Sequence, residues 1–260
     1  MAKVKYETSG AVAIITMSDP ATLNAIAPDM VVELTEAFNR ASREARCALL
    51  TGEGRGFSSG ANLSGGRDEA RGPDGRIDVG QRLEQYNPFV TLLRDLPIPF
   101  ITAVNGAAAG IGCSFALLGD LIIAGESAYF LQAFRRIGLV PDGSATYHLP
   151  RMLTRARAME MMLLGEKLPA AKALEWGLIN RCVPDAELMP TALALATELA
   201  AGPTKTLALI RRLAWQSYDA DWAAQLQAER VVQRDAGYTD DFAEGVAAFF
   251  QKRPANFKGS

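Results

Sequence analysis

The chain of 260 residues is 49% apolar and 22% charged, a balance that fits a folded α/β protein and excludes collagen, coiled coil and wholesale disorder. Its 27 basic and 29 acidic residues give a formal charge of −2, and neither sign forms a block that could serve as a nucleic-acid footprint, so no nucleic-acid partner is expected. Three scattered cysteines, Cys47, Cys113 and Cys182, and a single histidine, His148, offer neither a disulfide framework nor a His/Cys metal site. A carboxylate-only metal site stays open, but no metal or separate cofactor is expected, and a reducing, cytoplasmic compartment is the default.

Val4 to Thr8, a Ser9-Gly10 turn and Val12 to Met17 read as a β-hairpin rich in β-branched residues. Ala11 to Met17 already alternates like a strand and no small-residue cleavage site follows it, so no targeting peptide is expected. Pro28-Asp29 starts a helix in which Met30, Val31, Leu34, Ala37, Phe38 and Ala41 recur at helical spacing as far as about Arg46. A strand over Cys47 to Thr51 then enters a stretch rich in Gly, Ser, Arg and Asp that runs to Gly80. After Ser64 this stretch has no apolar period and reads as a mobile surface loop that could act as a lid and shape a pocket.

A helix from about Gln81 to Asp95 leads through Pro97-Ile98-Pro99 into a strand, Phe100 to Val104. A glycine turn over Asn105 to Gly112, a buried helix to Gly119 and a strand over Leu121 to Ala124 follow. Leu96 to Gly119 carries no charge over 24 residues, nominally enough for a bilayer. Pro97, Pro99, Asn105, Gly106, Gly110 and Gly112 break it up, so no membrane partner is expected. From about Arg155 the chain reads as almost entirely helical, with apolar faces in Leu188 to Leu199, Thr204 to Trp215, Trp222 to Val232 and Phe242 to Phe250. The expected class is α/β, helices over a sheet buried on both faces, with a helical C-terminal subdomain.

Nucleotide motifs fail on inspection. Gly52, Gly54 and Gly56 give G-x-G-x-G, but Phe57 stands where a dinucleotide fingerprint needs its last glycine, and Gly165-Glu166-Lys167 lacks the loop and hydroxyl of a P-loop. Gly56-Phe57-Ser58-Ser59-Gly60 does satisfy G-x-S-x-G, with His148 as a base for a serine hydrolase. That reading needs a tight strand-to-helix turn at Ser58, whereas Gly52 to Gly56 intervene and no helix follows. His148 also lacks an evident orienting acid and reads as a packed residue on a helix surface. The glycine turns at Gly60-Ala61 and Gly110-Ile111-Gly112 expose backbone N–H groups, the second at a helix start. Such a pair can hold an oxyanion, or the glycines can serve tight turns alone.

Phe57-Ser58-Ser59-Gly60-Ala61-Asn62-Leu63 resembles the F-x-x-G-A-D-L stretch of the crotonase (enoyl-CoA hydratase/isomerase) superfamily. Leu23-Asn24-Ala25, Ala103 to Gly110, Gly138-Leu139-Val140-Pro141-Asp142 and Leu149-Pro150-Arg151 follow in that family's order at similar separations, so the resemblance spans nearly the whole chain. It implies a ββα superhelix over residues 1–200 holding an acyl-CoA site. A helical region over 201–260 would then serve trimerisation and cover the CoA, giving a homotrimer or hexamer. The substrate would be an acyl-CoA thioester, with coenzyme A arriving as part of it.

Residue by residue, the resemblance makes the amides of Ala61 and Ile111 an oxyanion hole. It puts CoA main-chain contacts near Leu23, Ala25, Ser59, Asn62 and Leu63, with Gly110, Phe134 and Leu139 lining the acyl site and Lys252 and Arg253 near the phosphates. The last two could equally be a solvated helix end. Relatives carry Lys or Arg where Ala21 and Thr22 stand, and Asp where Asn62 stands. The paired glutamates of the hydratases correspond to Ser114 and Phe134, so both carboxylates are missing. Asp142 remains, where enoyl-CoA isomerases and the phenylacetate-pathway isomerase resemble this chain. Among Phe134, Leu139, Val140 and Ile111 its pKa is expected to rise, suiting it to carry a proton from the α- to the γ-carbon; capping of a following helix is the structural alternative. An isomerase is therefore expected. A hydratase, a nucleophilic Asp142, or a non-catalytic acyl-CoA-binding paralogue remain as alternatives.

Overall fold

The computed structural model describes residues 2–62, 71–72 and 74–260. Strands β1 (Val4–Ser9) and β2 (Val12–Met17) form the hairpin, and α1 (Pro28–Glu44) crosses to β3 (Cys47–Gly52) and the short β4 (Gly56–Ser58). Then come α2 (Leu83–Asp95), β5 (Phe100–Val104), β6 (Ala107–Ala109), α3 (Ile111–Ala116), β7 (Leu121–Gly125) and β8 (Tyr129–Leu131). The remainder runs α4 (Ala145–Met152), α5 (Arg155–Leu164), β9 (Leu168–Pro169), α6 (Ala170–Glu175), β10 (Arg181–Val183), α7 (Leu188–Ala201), α8 (Thr204–Gln216), α9 (Trp222–Gly237) and α10 (Asp240–Gln251).

The strands form two sheets. Six lie in the order β1-β2-β3-β5-β7-β10, parallel except for the hairpin, and four lie in the order β4-β6-β8-β9. Three strands of the first sheet are each followed by a three-residue strand of the second: β3 by β4, β5 by β6, β7 by β8. The chain thus winds as a spiral, and the turns leaving β4 and β6 are stacked side by side.

Helices cover the first sheet as its apolar strands require. α1 buries Met30, Val31, Leu34, Ala37, Phe38 and Ala41, and Phe38 meets Phe89 of α2 and Phe100 of β5 edge-on at 5.7 and 5.1 Å. α7 lays Leu188, Ala192, Ala196 and Ala200, one turn apart, over Leu49, Ile101 and Ile123 on the other face.

Two expectations are corrected. The glycine turns around Gly56 and Asn105 to Gly112 contain β4 and β6, and the chain after Arg155 contains β9 and β10 as well as helices; strands of two or three residues are too short to show an alternation. The lid expected over Ser64 to Gly80 lies partly outside the described residues. Its later part carries a bridge between Arg71 and Ile77 and a 3-10 turn at Val79–Arg82.

Candidate active site

Two glycine turns pack against each other. Gly60 has φ +100°, and a Cβ there would lie 2.9 Å from the Ala109 carbonyl oxygen; Gly110 has φ +51°, and a Cβ there would lie 3.8 Å from Gly60 Cα. Only glycine lets the two backbones come this close in these conformations. Ala61 is held by its neighbours, since Ile26 N–H donates to the Gly60 carbonyl at 2.7 Å and Asn62 N–H donates to the Ile26 carbonyl at 2.8 Å. Gly110 N–H donates to the Leu131 carbonyl at 2.8 Å, and Ile111 opens α3. Among the described residues, neither the Ala61 nor the Ile111 amide donates a hydrogen bond within the chain.

Asp142 follows on the adjoining turn. Gly143 (φ +60°) is pressed against α3: a Cβ there would meet Ser114 Cβ at 2.7 Å and Ile111 Cγ1 at 3.3 Å. The Ser114 hydroxyl donates to the Asp142 carbonyl at 2.8 Å, so Ser114 fixes the turn that carries the aspartate. Phe134 is buried with its Cζ 3.9 Å from a Cβ built on Gly110.

Asp142 lines a cavity of about 860 Å³ walled by Leu83, Val90, Leu118, Leu139 and Pro141 among others. Its Oδ1 is buried without a hydrogen-bond partner, and burial pushes its pKa up from 3.8 to about 6. Among the described residues two further carboxylates line this cavity and both are engaged: Asp78 accepts from Gly80 N–H at 3.0 Å, and Asp219 accepts from the Tyr147 hydroxyl at 2.6 Å. Val140 lines this cavity as expected, though it is 79% exposed, and Leu139, Leu83, Val90 and Leu118 complete the apolar wall. Ala61 and Ile111 sit at the glycine turns beside the cavity and are not among its lining residues.

The remaining expected residues divide. The Leu23 carbonyl accepts from Ser59 N–H at 2.8 Å, the Ser59 hydroxyl donates to the Thr22 carbonyl at 2.8 Å, and Ala25 N–H donates to Thr22 Oγ1 at 3.1 Å. These bonds zip segment 22–26 onto 59–62 and place Leu23, Ala25, Ser59 and Asn62 together. Leu63 lies outside the described residues. Lys252 and Arg253 do not line the cavity; Arg253 donates to both oxygens of Glu244, at 2.6 and 2.9 Å, and this pairing holds the Glu244 carboxyl down at about 2.

The hydrolase alternative is corrected. Ser58 is buried and its hydroxyl donates to the Asn24 carbonyl at 2.8 Å, while His148 Nδ1 faces Ser144 Oγ at 3.0 Å. Nor is His148 on a helix surface: it is 1% exposed, and burial drives its pKa down to about 4.

Sequence reasoning missed Tyr86, 2% exposed on α2, whose hydroxyl donates to the Ile26 carbonyl at 3.3 Å. Burial raises its pKa, and Asp142 is close enough to add to that rise. Its tyrosine hydroxyl on an otherwise apolar buried face was the available signal.

Among the described residues no group of His, Cys, Asp and Glu could hold a metal ion, and no helix is long and apolar enough to cross a membrane. The Enoyl-CoA hydratase/isomerase family profile matches residues 7–260. A 1,2-epoxyphenylacetyl-CoA isomerase of Escherichia coli is 44% identical over 248 residues, 94% of each chain. A probable enoyl-CoA hydratase of Rhodobacter capsulatus is 42% identical over 256 residues, 98% of each chain. Solved enoyl-CoA hydratase structures from Geobacillus kaustophilus and Polaromonas superpose with a TM-score of 0.91 each, at 31% and 33% identity, covering 100% and 98% of this chain and 99% of theirs. The chain belongs to the enoyl-CoA hydratase/isomerase family and has the crotonase fold.

Proposed function

We propose that the protein is an isomerase that shifts a carbon–carbon double bond of an enoyl-CoA, or of the ring-opening epoxyphenylacetyl-CoA type, using one carboxyl group and two peptide amides. The observation that carries this reading is the Asp142 carboxyl, with its buried Oδ1 unpartnered and its pKa near 6, beside a cavity whose other carboxylates, among the described residues, are already bonded. A group poised near neutrality is matched to taking a proton from carbon and giving it back.

The thioester carbonyl accepts from the Ala61 and Ile111 amides, which stabilise the negative charge of the enolate. Each such donor contributes about 2.7–4 kcal/mol in the transition state. Asp142 removes the α-proton, the electron pair moves into the enolate, the double bond migrates, and the protonated carboxyl delivers the proton to the γ-carbon. One base suffices when both carbons lie on the same face of the acyl group. Usual hydration needs a group to activate water and a proton source for the α-carbon, and Ser114 and Phe134 supply neither role of the glutamate pair.

Coenzyme A is placed over Leu23, Ala25, Ser59, Asn62 and Leu63, with Gly110, Phe134 and Leu139 around the acyl group. Lys252 serves the phosphates, and Arg253 joins it only if Glu244 releases it. Residues 201–260 act as the assembly and CoA-covering region in a homotrimer or hexamer. Supporting this, Trp222, Tyr238, Phe249 and Phe250 are uncovered on α9, α10 and the turn between them. A cytoplasmic site of action fits the three free thiols.

The test follows conjugated-thioester absorbance with 3-enoyl-CoA and 2-enoyl-CoA, for the wild type and Asp142→Asn. Absorbance should rise with the first substrate in the wild type alone. Hydration of the second that survives the substitution identifies a hydratase, and binding of both without turnover identifies a non-catalytic paralogue.

A further inference from the structure

The cavity holding Asp142 ends at a partition. Arg94, Tyr147, Trp215 and Asp219 line it and also line a second cavity of about 870 Å³, floored by Leu96, Ile98, Ala208 and Leu209. The four side chains come from α2, α4, α8 and the turn just after it, elements distant in sequence, and Tyr147, Trp215 and Asp219 are tied together. The Tyr147 hydroxyl donates to Asp219 Oδ2 at 2.6 Å. Arg151, one turn along α4, lies 3.7 Å from Asp219 Oδ1 and stacks 3.8 Å over the Tyr147 ring. Tyr218 meets the rings of Tyr147 and Trp215 edge-on at 6.0 and 5.7 Å.

The partition therefore joins α4, the helix that opens just after Asp142, to the C-terminal helices. It has two properties that matter for a substrate. Its rings and charges interrupt an apolar surface that continues on the far side, so an acyl chain leaving Asp142 along Leu83, Val90 and Leu118 meets a polar stop. Its bonds are also peripheral: Asp219 is exposed and the Tyr147 ring is half-buried, so the stop can be removed without opening the core.

We propose that the Tyr147–Asp219 pair is the length-setting wall of the acyl site, limiting the enzyme to compact acyl groups, aryl or short-chain, and that without it the two cavities accept one long chain. This rests on the reading that Asp142 acts in the first cavity. Tyr147 and Asp219 take no part in proton transfer; they decide which substrates reach it.

The experiment measures Kd for a series of saturated acyl-CoA thioesters from butanoyl to dodecanoyl by calorimetry. It is paired with kcat/KM for 3-hexenoyl-CoA and 3-dodecenoyl-CoA, using wild type, Tyr147→Ala, Asp219→Ala and Tyr147→Phe. Wild-type affinity should level off early in the series. In Tyr147→Ala it should go on improving by about fourfold for each further methylene, the ordinary return for burying one, and the dodecenoyl-to-hexenoyl ratio of kcat/KM should rise at least tenfold. Asp219→Ala should move the same way by less, and Tyr147→Phe, which keeps the ring, should stay close to wild type.

Identical chain-length profiles in all folded variants overturn the proposal, as does a wild type whose affinity already climbs through dodecanoyl. Thermal unfolding checks that the variants fold, and Asp219→Ala carries the test should Tyr147→Ala not. Failure of the isomerase reading looks different: turnover is then absent throughout while the binding series still reports on the wall.

Discussion

Replacing Asp142 by asparagine should make the protein more stable at neutral pH while abolishing its chemistry. The carboxyl is held at about 6 by burial against an ordinary 3.8, so the folded state disfavours its ionised form. Below 3.8 the group is protonated in both folded and unfolded chains and imposes nothing. Between 3.8 and about 6 the unfolded chain ionises first, and stability is lost as pH rises; above 6 the loss is complete and flat. The displacement corresponds to about 3 kcal/mol at full burial, and partial access of solvent reduces this to about 1–2 kcal/mol.

Asparagine keeps the shape and removes the charge. Thermal unfolding of wild type and Asp142→Asn between pH 4 and 8 should show the variant gaining over that lower interval and then holding a constant lead. For a chain of this size the lead amounts to about 2–8 °C. A difference independent of pH, or a variant less stable than wild type at pH 7, would refute the argument that the carboxylate is strained by its surroundings.

Other consequences are separable. Gly60→Ala forces a Cβ to within 2.9 Å of the Ala109 carbonyl oxygen, so it should shift the oxyanion amides and lower kcat by about 10²–10³; a change confined to KM would count against the two-amide assignment. The pH profile of kcat/KM should fall on the acid side with a midpoint near the Asp142 value of about 6, because the base must be ionised in the free enzyme. Arg211 on α8, 7% exposed, pairs with Asp120 and donates to the Leu93 and Leu96 carbonyls at the end of α2. Arg211→Met should therefore destabilise the protein by about 3–5 kcal/mol in urea unfolding by leaving Asp120 uncompensated; less than 1 kcal/mol would show that the clamp is incidental. Phe249→Glu, at a position 78% exposed, should shift sedimentation toward smaller species while leaving far-ultraviolet dichroism unchanged.

The long elements were legible because their periods are long enough to read. The six apolar positions assigned to α1 are the six it buries, and β5 has the bounds its β-branched run indicates. The second sheet was hidden because β4, β6 and β8 span three residues each among glycines, and their pairing depends on partners about fifty residues away along the chain for β4 and β6. Asp142 and the two glycine turns were legible through a resemblance of motifs. Composition and spacing alone offered an oxyanion pair but favoured a simple pair of turns. The partition of Arg94, Tyr147, Trp215 and Asp219 could not be read, since three separate stretches of chain meet only in the folded state.

The most direct test of a single-carboxyl proton transfer uses 3-enoyl-CoA deuterated at the α-carbon and converted in ordinary water, with the product's γ-carbon examined by NMR. Wild-type enzyme should carry part of the deuterium from the α- to the γ-position, and Asp142→Asn should carry none. Deuterium at the γ-carbon in the asparagine variant would contradict the account.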